Sequence, residues 1–496
     1  MESVLAVPVV NRHNEKHPKQ LYAVAFSSMW DSFSFYGMKA LLIAYIVTQI
    51  KLGQPMGYAI LGTYSALVFG FSFAGGIVAD RFLGTRKSII WGNYLQIAGH
   101  LTLALPFQAP FFVGLALIAT GAGFRGSSSG SLVGSFYGNH SARKKDDAYA
   151  IYYMIFNIGA ALGGLICGYL GQNISWHLGF GAACVFMIIG QLQFLLGINK
   201  TYGLPPHPKQ LKEKVFLNIL DREAIIYLLT IAVIAVVVLV LQYPHVMNVV
   251  MLPLTILCFI YVFLLSFKFT MQERLKLYAA MLMLVMTSVF WAFYEQCGGS
   301  LSLFVLQNVD LNLGGLQVSG LSVNSFIPGA WLVVLTPFSL MMWKRLQQRN
   351  LNPRTYAKFI IAFLFAGLCF LLLWVGCYFN STTGLMPVAI LIVAYLLLEL
   401  GEICIGPVSF ALASNLAPKA IVTTVVGVMY MSISLGEYLS GKLGALMTVP
   451  EGISNPIEMM PYFSSIFLKI GIGSLLISIL IVLLVPLLRK WMQEVK

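Results

Sequence analysis

The feature that most constrains this chain is a succession of apolar stretches, each long enough to cross a bilayer, separated by short polar connectors. A spanning helix needs about 20 mostly apolar residues. Such runs fall near 21–49, 57–79, 87–105, 109–137, 147–170 and 175–197. After a polar connector holding Pro205, Pro206 and Pro208, two more lie near 223–242 and 248–268. Six others follow, near 277–306, 317–343, 356–378, 386–415, 420–447 and 462–488. In hydrocarbon every backbone N–H and C=O must be satisfied within its own segment, which favours helices for runs of this length. The chain therefore reads as an all-α polytopic membrane protein with about fourteen transmembrane helices. Charged residues make up 10% of it, against roughly 25% in a soluble domain.

A net charge of +13 invites a nucleic-acid reading. The placement of the charges removes it: basic residues cluster in short connectors, as in Arg143-Lys144-Lys145 and Lys344-Arg345. That is the pattern of cytoplasmic loops. With the N-terminus inside, the inner segments collect Arg12, Lys16, Lys19, Arg81, Arg86, Lys87, Lys419, Arg489, Lys490 and Lys496, and the outer loops hold little beyond Lys51. An even helix count puts both termini inside. Segment 1–20 has no apolar h-region, so no cleaved signal peptide is expected. The seven cysteines form no CxxC or Cys/His cluster, and HExxH does not occur. No cofactor, metal site or enzymatic centre is expected.

Four charges sit inside apolar runs: Lys39, Arg125, Glu295 and Glu402. Each costs about 2.5–3.5 kcal/mol at the bilayer centre on insertion scales, so such residues usually face a water-filled path or an opposite charge. The cations lie in the first half and the anions in the second, which points to a cavity between halves and hence to transport. The division expected is a cytoplasmic segment 1–20, a six-helix bundle 21–197, a connector 198–222, an inserted peripheral pair 223–270, a second six-helix bundle 271–488 and a tail 489–496. Basic connectors at equivalent places, Asp80 to Lys87 and Lys344 to Lys358, suggest duplicated halves. Two parallel six-helix bundles are the major facilitator plan.

Several motifs narrow this. Gly75-Gly76-Ile77-Val78-Ala79-Asp80-Arg81-Phe82-Leu83-Gly84-Thr85-Arg86-Lys87 turns from the second run into the third. Its glycines permit close helix approach, while Asp80, Arg81 and Arg86 can cap helix ends. This string resembles the major facilitator loop motif in the form used by proton-coupled oligopeptide transporters. Tyr152-Tyr153-Met154-Ile155-Phe156-Asn157-Ile158-Gly159 is similar to that family's FYxxINxG segment. Phe290-Trp291-Ala292-Phe293-Tyr294-Glu295-Gln296 resembles its FWxxxEQ. Gly401-Glu402 with Pro407 and Leu416-Ala417-Pro418 resembles its GE…SP…LAP. The six-plus-two-plus-six layout is that of prokaryotic members, and implies a bacterial inner-membrane protein.

The resemblance implies a secondary transporter importing di- or tripeptides by proton symport with alternating access. Its partners would be a small peptide, protons and the lipid bilayer, acting as a monomer without nucleic acid. It pairs Lys39 with Glu295 and sets Arg125 opposite Glu402. Asn157 and Asn324 would contact the peptide backbone, Glu402 its amino terminus and Arg125 its carboxylate, with Tyr36 and Trp291 lining the pocket. Departures are as informative. The family's ExxERFxYYG reads here as Ser28-Met29-Trp30-Asp31-Ser32-Phe33-Ser34-Phe35-Tyr36-Gly37, so both its first Glu and its Arg are serines. Asp31 either substitutes for the missing acid or hydrogen-bonds Ser28 and Ser32. Glu399 stands where the family has Thr, Glu437 where GN is usual, and Met429 replaces a pocket Trp. Asp31, Glu399 and Glu437 join Lys39 and Glu295 as candidate coupling or gating residues, with a structural role the alternative for Glu437. An uncoupled or differently coupled carrier of peptides, amino acids or another metabolite, or a transporter-like sensor, is the rival reading.

Overall fold

The computed structural model describes residues 16–137, 142–201, 209–212, 214–216, 220–351 and 353–492. Residues 1–15 of the N-terminal segment, the prolines of the connector and the last four residues of the tail lie outside these. The first half comprises α1 (Lys19–Thr48), α2 (Gln54–Val78), α3 (Thr85–Ala104), α4 (Phe111–Ser135), α5 (Ala142–Asn173) and α6 (Trp176–Thr201). Next come α7 (Arg222–Gln242) and α8 (Val246–Ser266). The second half holds α9 (Met271–Tyr294), α10 (Ser300–Asn308), α11 (Gly320–Gln348), α12 (Thr355–Phe379), α13 (Val388–Asn415), α14 (Val422–Ala445) and α15 (Pro456–Met492).

With α9 and α10 counted as one crossing, the helices match the fourteen apolar runs. Twelve spans among the described residues are long and apolar enough to cross a membrane; α1 and α3 are not. Their polarity is turned inward. Ser27, Ser28, Ser32, Ser34 and Lys39 of α1, and Asn93, Gln96 and His100 of α3, are all buried. A helix wrapped by its neighbours has no lipid to satisfy.

The expected continuous helix over 277–306 is instead broken. A 3-10 turn, Glu295–Cys297, and the pair Gly298-Gly299 separate α9 from α10. A break at membrane depth survives only where protein re-satisfies the freed backbone groups. Here the Cys297 carbonyl accepts from Asn324 Nδ2 at 2.8 Å and Ser302 Oγ at 3.1 Å. Gln296 Nε2 donates to the Ser440 carbonyl on α14 at 3.1 Å. The break leaves Glu295 at a helix end, facing α1.

Within the first half α1 packs on α5 and α6, and α3 on α4; within the second, α12 packs on α13 and α15, and α9 on α14. The halves meet along α2–α14 and α5–α11. On the face opposite the chain termini this junction is tight: a Cβ built on Gly62 of α2 would lie 3.0 Å from Gly441 Cα on α14. A stripe without side chains lets the two backbones touch. The inserted pair is peripheral, with 17% of α7's apolar window and 22% of α8's buried. It is fastened to both halves. Lys87 Nζ lies 2.5 Å from Glu223 Oε2 at the start of α7, and Tyr438 O–H of α14 donates to Asn248 Oδ1 of α8 at 2.5 Å.

Candidate functional site

Three polar clusters lie along the seam between the halves. In the first, Lys39 of α1 donates to Glu295 Oε2 at 2.7 Å, as the resemblance implied. A second carboxylate completes it: Glu437 Oε2 of α14 is 3.6 Å from the same ammonium. Lys442, on the same helix as Glu437, lies over the Tyr438 ring at 5.5 Å. All three members of the cluster are buried. One cation thus faces two carboxyl groups, and the three groups come from three separate helical segments.

The second cluster corrects an expectation. Arg125 of α4 does not meet Glu402. Its Nε lies 2.9 Å from Asp31 Oδ2 on α1, its Nη1 donates to Asn93 Oδ1 at 2.6 Å, and its Nη2 donates to Ser28 Oγ at 3.2 Å. Asn93 in turn donates to Gln191 Oε1 of α6 at 2.5 Å, and Tyr152 O–H donates to Ser28 Oγ at 3.1 Å. The physical reason is distance along a shared bundle: Asp31 and Arg125 both belong to the first half, so the guanidinium is neutralised locally. Asp31 is an ion-pair partner, not a hydrogen-bond partner of Ser28 and Ser32. Asn93 and Gln191 were missed by motif reasoning. Polar amides within apolar runs were the available signal.

In the third cluster Glu402 of α13 accepts from Tyr153 O–H of α5 at 2.9 Å and from Tyr294 O–H of α9 at 2.8 Å. Tyr294 also lies 3.2 Å from both oxygens of Glu399. Its single proton serves one acceptor at a time. Glu399 and Glu402 are within hydrogen-bonding reach of each other. Among the described residues neither lies within ion-pair distance of a lysine or arginine. Tyr36 sits between this cluster and the first, close enough to interact with Lys39, Glu295, Glu402 and Glu437.

The remaining candidates divide. Trp291 is half-buried, packed edge-on to Tyr294 with 5.1 Å between ring centroids, and its Nε1 has no hydrogen-bond partner. Asn157 donates to the Tyr153 carbonyl of its own helix at 2.9 Å. Asn324 is spent on the fold in this conformation. Its two N–H groups go to Cys297 O and Ser302 Oγ, and its Oδ1 accepts from Tyr395 at 2.5 Å. It holds the helix break instead of presenting its amide to a ligand.

The loop motif resolves by geometry. A Cβ on Gly75 would fall 2.3 Å from the Gly123 carbonyl of α4, so only glycine fits that crossing. Asp80 and Arg81 lie in a π-helical turn, Ala79–Leu83, which ends at Gly84 with φ 76°. The N-cap of α3 is Gly84, which has no side chain to offer; Asp80 and Arg81 are exposed, and Arg86 is half-buried.

A family model described as the POT family matches residues 86–460. The uncharacterized transporter YclF of Bacillus subtilis (strain 168) is 29% identical over 492 residues, spanning 97% of this chain and 96% of its own. Dipeptide and tripeptide permease B of Photorhabdus asymbiotica is 26% identical over 483 residues, spanning 96% and 97%. A crystal structure of peptide transporter POT in complex with sulfate has a TM-score of 0.82 at 27% identity, covering 96% of each chain. A POT family transporter in complex with 5-aminolevulinic acid has a TM-score of 0.78 at 26% identity, covering 95% of this chain and 97% of its own. These relatives are transporters, not enzymes, and their fold is the one derived above. The chain is an integral membrane protein with a major facilitator architecture, and it belongs to the POT family.

Proposed function

We propose that the protein imports di- and tripeptides in symport with protons by alternating access. In this reading it is a monomer in the bacterial inner membrane with both termini cytoplasmic. The observation that carries this is a pair of buried polar links joining the two halves, Lys39 to Glu295 and Tyr153 to Glu402. Buried charge at a seam is expensive to keep as mere fastening, and is retained where it must break and re-form. The seam is tight on the face opposite the termini at Gly62 and Gly441. On the terminal face a Cβ on Gly130 of α4 would meet nothing within 4 Å, and one on Gly406 of α13 only the Glu402 side chain. This supports a conformation open toward the cytoplasm.

Glu402, without a cation partner among the described residues, suits a peptide's ammonium, with Tyr36, Asn157 and Trp291 around it. Asn324 positions the helix break beside it. Protonation of Glu295 would weaken its hold on Lys39 and so loosen the closed side. The curated relative is named a dipeptide and tripeptide permease, which supports the substrate class. A second reading has its own support: Asp31 already neutralises Arg125 at 2.9 Å, so a substrate carboxylate must compete for the guanidinium. Amine-bearing metabolites with weaker carboxylate requirements fit that arrangement.

Uptake of labelled dialanine into proteoliposomes, with and without an inward proton gradient, tests the reading. Accumulation above equilibrium is the expected result. Equilibration alone makes the protein a uniporter, and absence of any peptide uptake moves the substrate to the second reading.

A further inference from the structure

Glu437 is a buried acid whose contacts leave it incompletely satisfied. It is 2% exposed, and its Oε1 has no hydrogen-bond partner. An ionised carboxylate oxygen left orphaned in a dry interior is costly, because nothing replaces the water it has lost. Its surroundings do not supply enough positive charge to offset this. From α1 come Lys39, 3.6 Å from Oε2, and the Tyr36 hydroxyl. From α2 come two buried hydroxyls, Ser65 within hydrogen-bonding reach of the Glu437 carboxyl and Tyr64 close by. The 3-10 turn brings the Glu295 carboxyl within hydrogen-bonding reach. α9 offers Trp291 against Gly436, α8 carries no charged residue, and α13 adds only the more distant acids Glu399 and Glu402. On α14 itself, Lys442 is engaged with the Tyr438 ring.

The charge count decides the chemistry. Lys39 is already bound by Glu295 at 2.7 Å. With both acids ionised, the buried cluster carries a net negative charge and two acceptor carboxyls face each other with no donor between them. A single proton resolves both problems, since two carboxyls in one site share a proton more readily than both ionise. The geometry points to Glu437 as a proton-binding site, holding a proton on Oε1 and donating it toward the Glu295 carboxyl. With that proton bound, Lys39 is held by one carboxylate and the cluster is neutral. With it gone, two carboxylates hold Lys39 and α1 is drawn more firmly to α14 and the 3-10 turn. Glu437 is then the group that sets how strongly the two halves are clamped on this side. The transport consequence of the clamp rests on the proposed function above; the proton site itself does not.

Infrared spectroscopy of the purified protein in nanodiscs reads the proton without any substrate. The wild type is expected to show the carbonyl stretch of a protonated carboxyl near neutral pH, reduced in Glu437→Gln by the amplitude of one group. Ser65→Ala, which keeps the acid and removes the hydroxyl facing it, is expected to shift that band's frequency, and it covers the case in which Glu437→Gln does not fold. A band of unchanged amplitude in Glu437→Gln, or of unchanged frequency in Ser65→Ala, overturns the proposal. Proton-to-substrate stoichiometry in proteoliposomes then separates the two ideas. A wild type that moves no peptide sinks the transport reading alone, whereas a stoichiometry that does not fall in Glu437→Gln removes the site from coupling.

Discussion

The Arg125 and Lys39 clusters each place one cation in the membrane interior, yet they are built to opposite specifications. Arg125 meets one carboxylate and two neutral acceptors, all from the first half, and each contact shown is within 3.2 Å. Lys39 meets two carboxylates, both from the second half, and one of their oxygens has no partner. The first is balanced and internal to a bundle, which suits a rigid wall. The second is unbalanced and crosses the seam, which suits an element with two states. Both cations are buried, but Asp31 keeps 18% of its side chain exposed while Glu295 and Glu437 keep 10% and 2%, and stoichiometry and bundle membership differ as well.

The comparison can be broken most directly at Arg125. Arg125→Ala strands Asp31 within a buried network, and should cost about 3–5 kcal/mol, the usual penalty for removing one partner of a buried pair. Denaturant unfolding in bicelles reads this. A loss below about 1 kcal/mol would mean that water already screens the pair. Lys39→Ala probes the other cluster, whose two acids can accept protons. Its deficit relative to wild type should therefore shrink as pH falls, because protons neutralise the stranded carboxyls; a pH-independent melting-temperature difference contradicts the two-state view. The smallest effect is expected at Lys87→Ala. Its partner Glu223 keeps Tyr227 at 2.8 Å and Lys212 at 3.3 Å, so the loss should stay within about 1 kcal/mol, the range of a partly solvated pair.

Much of the architecture was legible because lipid imposes a simple code. About 20 apolar residues make a span, and the positions of the runs needed no tertiary information. Lys39, Glu295, Arg125 and Glu402 stood out for the same reason, as did the glycines and charges of the 75–87 loop. The break after Glu295 was less legible. Gly298-Gly299 marks it in the sequence, but whether a glycine pair bends or merely lightens a helix depends on what donates to the freed carbonyls, and the donors Asn324 and Ser302 lie on other elements.

What the sequence determined by itself was the set of helices, the existence of two halves and the identity of the costly charges, since these follow from hydropathy and residue type along one dimension. The pairing of those charges was decided only by tertiary structure. Arg125 chose Asp31 over Glu402, Glu437 joined Lys39 from a helix near the far end of the chain, and Asn324 turned to the backbone. An electrostatic partner is selected by which side chains converge within a few ångströms after packing, and residues 398 positions apart, such as Lys39 and Glu437, share a site for no reason that local periodicity contains.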